Sequence, residues 1–129
     1  MPKRALSHPN LPDPPHFSRA VETTGGRTVY FAGQAPLDAE GNVAGSTLGE
    51  QTETCLDKMA GILEAAGGSM ADIVHLVVYV TNIDDFGQVQ PARDKHFSGP
   101  VYPAMSGVQV SALADPAWLV EIDGIAVID

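Results

Sequence analysis

Residues 48–81 read LGEQTETCLDKMAGILEAAGGSMADIVHLVVYVT, and this segment sets the architecture of the chain. Between Leu48 and Ala66, apolar side chains recur every three or four positions, which is the spacing of one face of an α-helix. Ser46 or Thr47 can cap the start of this helix, and Gly67-Gly68 can end it. The apolar stripe consists of Leu48, Cys55, Leu56, Met59, Ile62, Leu63 and Ala66.

From Ile73 to Thr81 the pattern changes to alternation, which predicts a strand. A second helix is predicted from Asp84 onward, and because Pro91 removes one helix hydrogen bond, this helix either kinks there or starts late. Gly25-Gly26 supplies the positive φ angles of a tight hairpin between the first two of four further strands. Those strands are Ser18–Thr23, Arg27–Gln34, Pro103–Ser111 and Trp118–Ile128.

The order of these elements predicts an α+β fold, with a single mixed β-sheet and two helices packed on one of its faces. We expect one domain over residues 1–129, because that length matches the commonest domain size. Residues 1–16 are rich in proline and are expected to form an N-terminal arm outside the core.

The sheet face opposite the helices keeps many apolar side chains. An exposed apolar patch of this size is unusual for a monomer, so we expect the chain to self-associate through this face. The apolar members assigned to it are Ile73, Val77, Tyr79, Met105, Leu119, Ile125 and Val127.

Composition excludes several classes of function. The 16 acidic residues outnumber the 7 basic ones and give a net charge of −9, which argues against nucleic acid as a partner. No apolar run approaches the roughly 20 residues that cross a bilayer, and no secretory signal is evident, so we expect neither a membrane partner nor export. Cys55 is the single cysteine, which excludes an internal disulfide and fits a reducing cytoplasm.

The candidate chemistry is carried by carboxylates. Glu121 and Asp123 lie two positions apart on the last strand, so they share a face at about 6.6 Å. Such a pair can serve general acid–base catalysis, or either carboxylate can pair with a basic residue in an interface. His75 is interpreted as an interface histidine or a catalyst, and Cys55 as a core residue or a reactive thiol. No metal-ligand spacing and no nucleotide-binding motif is present, so we expect no metal and no cofactor.

Five stretches of the sequence resemble the RidA/YjgF family, and together they cover nearly the whole chain from about Phe17. The resemblance implies a chorismate-mutase-like fold and a homotrimer with clefts between its subunits. It also implies hydrolysis of enamine or imine intermediates with release of ammonia. The stretches are residues 31–36 (FAGQAP), 51–68, 73–86, 102–108 (YPAMSGV) and 120–127 (VEIDGIAV).

The resemblance assigns roles to individual positions. Glu121 matches the glutamate that positions or activates the attacking water, and Gly33 and Ser106 match cleft residues. Met105 stands where the family has an arginine that clamps the substrate carboxylate. Losing that clamp should weaken carboxylate binding about 10–1,000-fold. The implied substrate-binding positions are Phe17, Ala32, Gly33, Gln90, Met105, Ser106 and Gly107.

Two functions from different classes follow from this pattern. The first is a RidA-like enamine or imine hydrolase (deaminase), or a related small-molecule enzyme, acting in an intersubunit cleft on a non-standard substrate. The alternative is a non-catalytic trimeric protein that binds a small ligand or acts as a modulator. Arg19 or Arg93 could supply a substitute cation. Ribonuclease activity, known for some members of the family, fits the net charge of −9 poorly.

Overall fold

A computed structural model describes residues 3–129 of the chain and contains two α-helices and six strands. Short 3₁₀ segments at Met70–Asp72 and Ile83–Gln88 precede β4 and α2. The elements are β1 (Lys3–Leu6), β2 (Ala20–Thr23), β3 (Arg27–Gln34), α1 (Leu48–Ala65), β4 (Ile73–Val80), α2 (Val89–Asp94), β5 (Ala104–Gln109) and β6 (Val120–Ile128).

The main sheet has four strands in the order β3-β6-β4-β5. Strands β4 and β5 run parallel, while β6 is antiparallel to both of its neighbours, so the sheet is mixed. Helix α1 packs on β6 and β3, and α2 packs beside α1. The predicted α+β class, with two helices on a mixed sheet, is therefore confirmed.

Helix α1 follows the predicted pattern closely. Thr47 caps it, since the Thr47 hydroxyl accepts a hydrogen bond from the Glu50 N–H, and the Glu50 carboxylate accepts one from the Thr47 N–H. Ala66 is the C-cap, and Gly67 follows with a φ of 83°, a conformation that favours glycine. Of the predicted stripe, Ile62 is the exception, because 42% of its surface is exposed.

The second helix starts late, which is one of the two alternatives that Pro91 allowed. The segment from Ile83 to Gln88 is a 3₁₀ helix, and the α-helix begins at Val89. Pro91 therefore lies in the first turn of α2, where a backbone N–H would have no acceptor within the helix.

The predicted hairpin between the first two strands was wrong. Gly25 and Gly26 do have positive φ angles, but β2 pairs with β1 and the glycines lead the chain into the main sheet. The β1–β2 ribbon joins the edge of that sheet through a bridge between Ser18 and Ala104. The predicted arm thus contains a strand, although its residues Met1 and Pro2 lie outside the described part of the chain.

Two of the seven apolar residues assigned to the face opposite the helices lie on the helix side instead. A register shift between Ile73 and His75 turns Ile73 toward the helices, where 1% of it is exposed, and leaves Val74 on the other side. Met105 is the cross-strand partner of Leu76, a fully buried core residue, so Met105 also faces the helices.

The apolar core fills the space between α1 and the sheet. Cys55 is completely buried there, and burial raises the pKa of its thiol to about 12, which supports its interpretation as a core residue. Within residues 3–129, no helix combines the length and the apolar composition that crossing a membrane requires. The central core residues are Leu56, Met59, Leu63, Leu76, Val78, Val120 and Ile122.

Candidate functional site

Glu121 and Asp123 share the sheet face that points away from the helices, as predicted. We call this the outer face and define it by Val77, Tyr79, Glu121, Asp123 and Ile125. In the register between β4 and β6, Tyr79 lies opposite Glu121, and Val77 lies opposite Asp123. Both carboxylates are half-buried.

The two carboxylates differ in their hydrogen bonds. The Tyr79 hydroxyl donates to Asp123 Oδ2 at 2.9 Å, and this bond is the main cause that raises the pKa of Tyr79. Among residues 3–129, Glu121 has neither a hydrogen-bond partner nor an ion-pair partner. Glu121 is therefore the carboxylate that remains available to a ligand or a water molecule.

A β-bulge at Ala32 and Gly33 places the backbone of Gly33 beside Glu121. Phe31 pairs with Gly124 and Gln34 pairs with Ile122, so the two residues between them face Asp123 alone. A methyl group at Gly33 would collide with the Glu121 carboxylate. Glycine at this position thus creates the space that the glutamate side chain occupies.

A second group of predicted site residues lies at the β5 edge, near α2. Met105 Sδ accepts a hydrogen bond from Arg93 Nη1 at 2.9 Å. Gly107 leaves room for the ring of Phe86, which would collide with any side chain at that position. This group lies on the helix side of the sheet, whereas Ser106 points to the outer face and lies opposite Val77.

Gln90 and Phe17 belong to the same end of the molecule as Met105. Gln90 Nε2 lies 2.8 Å from His16 Nε2, and His16 Nδ1 lies 3.5 Å from Asp94 Oδ1. Phe17 is half-buried and lines a cavity of about 170 Å³ together with Arg19. The N-terminal segment is therefore held against α2 and β5.

Within one chain, the predicted site residues form two separate groups. Glu121, with Ala32 and Gly33, is on β6 and the adjoining β3, whereas Met105 is on β5, and β4 lies between them. Two strand spacings amount to about 10 Å, and Glu121 and Met105 project from opposite faces. One chain alone does not bring the predicted catalytic residue to the predicted binding residues.

The outer face also contains a groove of about 530 Å³ next to the β1–β2 ribbon. Its floor includes His75 and Ser106, and Arg19 is part of its wall. Tyr30 at one side of the outer face has 77% of its surface exposed, and Val108 at the other has 40%. In the single chain, this face is therefore open.

Sequence reasoning missed the contact made by Tyr79 and left Arg93 as one of two possible substitute cations. The Tyr79–Asp123 bond depends on the register of β4 against β6, which no local pattern encodes. Arg93 did carry a signal, since it falls on the apolar side of the second helix, and the structure buries it to 9% exposure. Within residues 3–129, no three His, Cys, Asp or Glu side chains are grouped so that they could hold a metal ion.

Comparison with protein families finds one match over most of the chain. The model of the family described as Endoribonuclease L-PSP matches residues 11–128. Among curated proteins, a 2-iminobutanoate/2-iminopropanoate deaminase of Dermatophagoides farinae is 32% identical, covering 99% of this chain and 98% of its own length. The mouse protein with the same name is 34% identical, covering 86% of this chain and 80% of its own length.

Solved structures give the same relationship. The Rid-family protein YyfB from Yersinia pestis, described as a protein of unknown function, superposes with a TM-score of 0.89 at 32% identity. That match covers 99% of this chain and all of the other. RidA from an Antarctic Psychrobacter species gives a TM-score of 0.74 at 33% identity, covering 96% of this chain and 94% of that one.

Proposed function

Because this chain belongs to the RidA/YjgF family, which the Endoribonuclease L-PSP model describes, we propose that it hydrolyses small imines or enamines in a cleft between copies of itself. In this reaction water adds to the C=N carbon, the nitrogen leaves as ammonia, and a carbonyl compound remains. The names of the deaminase relatives support this reaction class.

The observation that carries the proposal is the environment of Glu121. Its carboxylate is half-buried, has no hydrogen-bond or ion-pair partner among residues 3–129, and lies against the exposed backbone of the β3 bulge. A carboxylate in this state can accept a proton from water as the water attacks the imine carbon. It can then return that proton to the departing nitrogen.

The division of the site into two groups supports a cleft between copies. We propose a homotrimer of single-domain chains in which Glu121, Ala32 and Gly33 of one copy face the Met105 side of the next copy. The open outer face, with its apolar side chains, supplies the surface for this assembly. Phe17, Gln90, Ser106 and Gly107 would then shape the ligand-binding wall.

The substrate of this site is not held by an arginine on β5, because Met105 occupies that position. An endoribonuclease activity is disfavoured by the net charge of −9, since RNA binding requires basic groups that neutralise phosphates. The alternative function is binding of a small ligand without turnover, and the following measurement distinguishes it from hydrolysis.

The test measures ammonia release from 2-iminobutanoate generated in the assay mixture. We expect activity in the wild-type protein and a loss of at least about a hundredfold in Glu121→Gln, which keeps the shape but removes the base. Glu64→Gln is the matched control, because Glu64 is an exposed helix residue. Wild-type protein without activity above background would contradict the proposed function and leave the ligand-binding alternative.

A further inference from the structure

Arg93 is a buried cation that the proposed reaction does not use. It lies in the last turn of α2, and 9% of its surface is exposed. Its Nη1 donates to Met105 Sδ at 2.9 Å. Its Nε is completely buried and has no hydrogen-bond partner among residues 3–129.

No carboxylate neutralises this guanidinium within the described part of the chain. The acidic group that acts on it is its neighbour Asp94, which is exposed and lies 3.5 Å from His16 Nδ1. Gln90, one helical turn earlier, contacts His16 as well. Burial lowers the pKa of Arg93, but a guanidinium remains charged at neutral pH.

This arrangement is unfavourable for stability. A thioether sulfur is a weak hydrogen-bond acceptor, and a buried charge without an ionic partner destabilises the folded state. A residue that weakens the fold in this way is expected to serve a binding site. The planar guanidinium matches a carboxylate through paired hydrogen bonds.

We infer that Arg93 is the anion-binding residue of the cleft and that the ligand is a small carboxylate. A carboxylate oxygen replaces Met105 Sδ on Nη1, and the flexible Met105 side chain moves aside. The inference rests on the proposed function for the location of the cleft. The anion is then bound by an arginine on α2 instead of an arginine on β5. The presence of Met105 at the β5 position therefore does not remove anion recognition.

The experiment measures binding of 2-oxobutanoate by calorimetry, with its uncharged methyl ester as the comparison. Wild-type protein should bind the carboxylate at least tenfold more tightly than the ester. Arg93→Met should weaken carboxylate binding about 10–100-fold while leaving ester binding unchanged. Its melting temperature should stay equal or rise, because an apolar side chain replaces an unpaired buried charge.

Arg4→Met is the matched control, because Arg4 is exposed and pairs with Glu22 at the surface. The affinity of the Arg4→Met protein for 2-oxobutanoate should equal that of the wild type. Arg93→Lys keeps the charge but loses the paired N–H donors of the guanidinium, and it covers the case in which Arg93→Met does not fold. The lysine variant should still bind 2-oxobutanoate, at least threefold more weakly than the wild type.

Unchanged carboxylate affinity in a folded Arg93 variant would overturn the inference, as would equal wild-type affinity for acid and ester. Tighter binding of inorganic phosphate than of 2-oxobutanoate would also overturn it.

The Glu121→Gln variant separates this inference from the proposed function, since it should still bind the carboxylate. Wild-type protein that binds but releases no ammonia contradicts the proposed function alone. Hydrolysis with an unchanged KM in Arg93→Met contradicts the inference alone.

Discussion

At the scale of single residues, the two carboxylates of β6 have different surroundings although they are two positions apart. Asp123 accepts a hydrogen bond from Tyr79, while Glu121 lies against the glycine of the β3 bulge. Asp123 is therefore held by a hydrogen bond, whereas Glu121 has no hydrogen-bond partner among residues 3–129. The absence of a side chain at Gly33 leaves space for the Glu121 carboxylate, so in the proposed reaction it matters for chemistry as well as for packing.

Replacing Gly33 by alanine tests this relationship. The added methyl group would collide with the Glu121 carboxylate, which is the mobile end of a side chain and can shift away. We expect a fall in kcat of about tenfold or more, because a misplaced base loses its alignment with the attacking water. The melting temperature should change little. Steady-state kinetics and thermal unfolding of the same preparation provide the measurement.

Gly61→Ala is the control for that substitution. Gly61 lies within α1, and a methyl group there would meet no atom within 4 Å. Alanine should stabilise the helix by about 0.5–1 kcal/mol and leave kcat unchanged. Wild-type kcat in Gly33→Ala would show that Glu121 does not need its present position.

At the scale of elements, the start of α1 depends on a reciprocal cap between Thr47 and Glu50. Thr47→Ala removes the acceptor for the Glu50 N–H, so we expect a loss of about 1 kcal/mol of unfolding free energy. Denaturant unfolding at pH 7 measures this loss. An unchanged midpoint in Thr47→Ala would mean that the cap does not stabilise the helix.

The same cap predicts a pH dependence. Hydrogen bonds from Ser46 and Thr47 lower the pKa of Glu50 below its ordinary value of 4.5. A lowered carboxyl pKa contributes stability that is present above pH 4.5 and is lost as pH falls through the folded-state value. The difference in melting temperature between wild type and Glu50→Gln should therefore shrink below pH 4.5. A difference that persists at pH 2 contradicts this origin.

Local sequence patterns predicted some features of these elements and not others. Helix α1 was predictable because its apolar spacing, its cap and its terminal glycine are all local signals. The sheet faces of Ile73 and Met105 were not, because a bulge reversed the first and the parallel register of β5 fixed the second. Pairing of β2 with β1, rather than with β3, likewise depends on a contact between distant parts of the chain.

The same limit applies to the candidate site. The carboxylate that we propose as the base was predictable from alternation along β6, since Val120 and Ile122, its neighbours in sequence, are both fully buried in the core. The separation of Glu121 from Met105 was not predictable, because it depends on the strand order β3-β6-β4-β5. The role proposed for Arg93 depends on its burial and on its contact with Met105 Sδ, and neither can be predicted from the sequence.

At the scale of the whole molecule, two copies of the chain build each site of the proposed trimer. In the proposed cleft, Glu121 and the β3 bulge supply one half, and Arg93 with Met105 supplies the other from a different strand and a different face. The open outer face gives the copies a surface on which to meet. A protein of this kind should lose activity when either half is removed from every copy.

Mixing two impaired variants, assayed at a substrate concentration well below the wild-type KM, tests this central claim most directly. Glu121→Gln and Arg93→Met proteins, unfolded together in equal amounts and refolded, should form mixed trimers whose size is checked by sedimentation. Random assembly leaves both halves intact in about a quarter of the clefts, so about a quarter of wild-type ammonia release should return. If both halves belonged to the same chain, no mixed cleft would be complete, and activity would stay at the level of the separate variants.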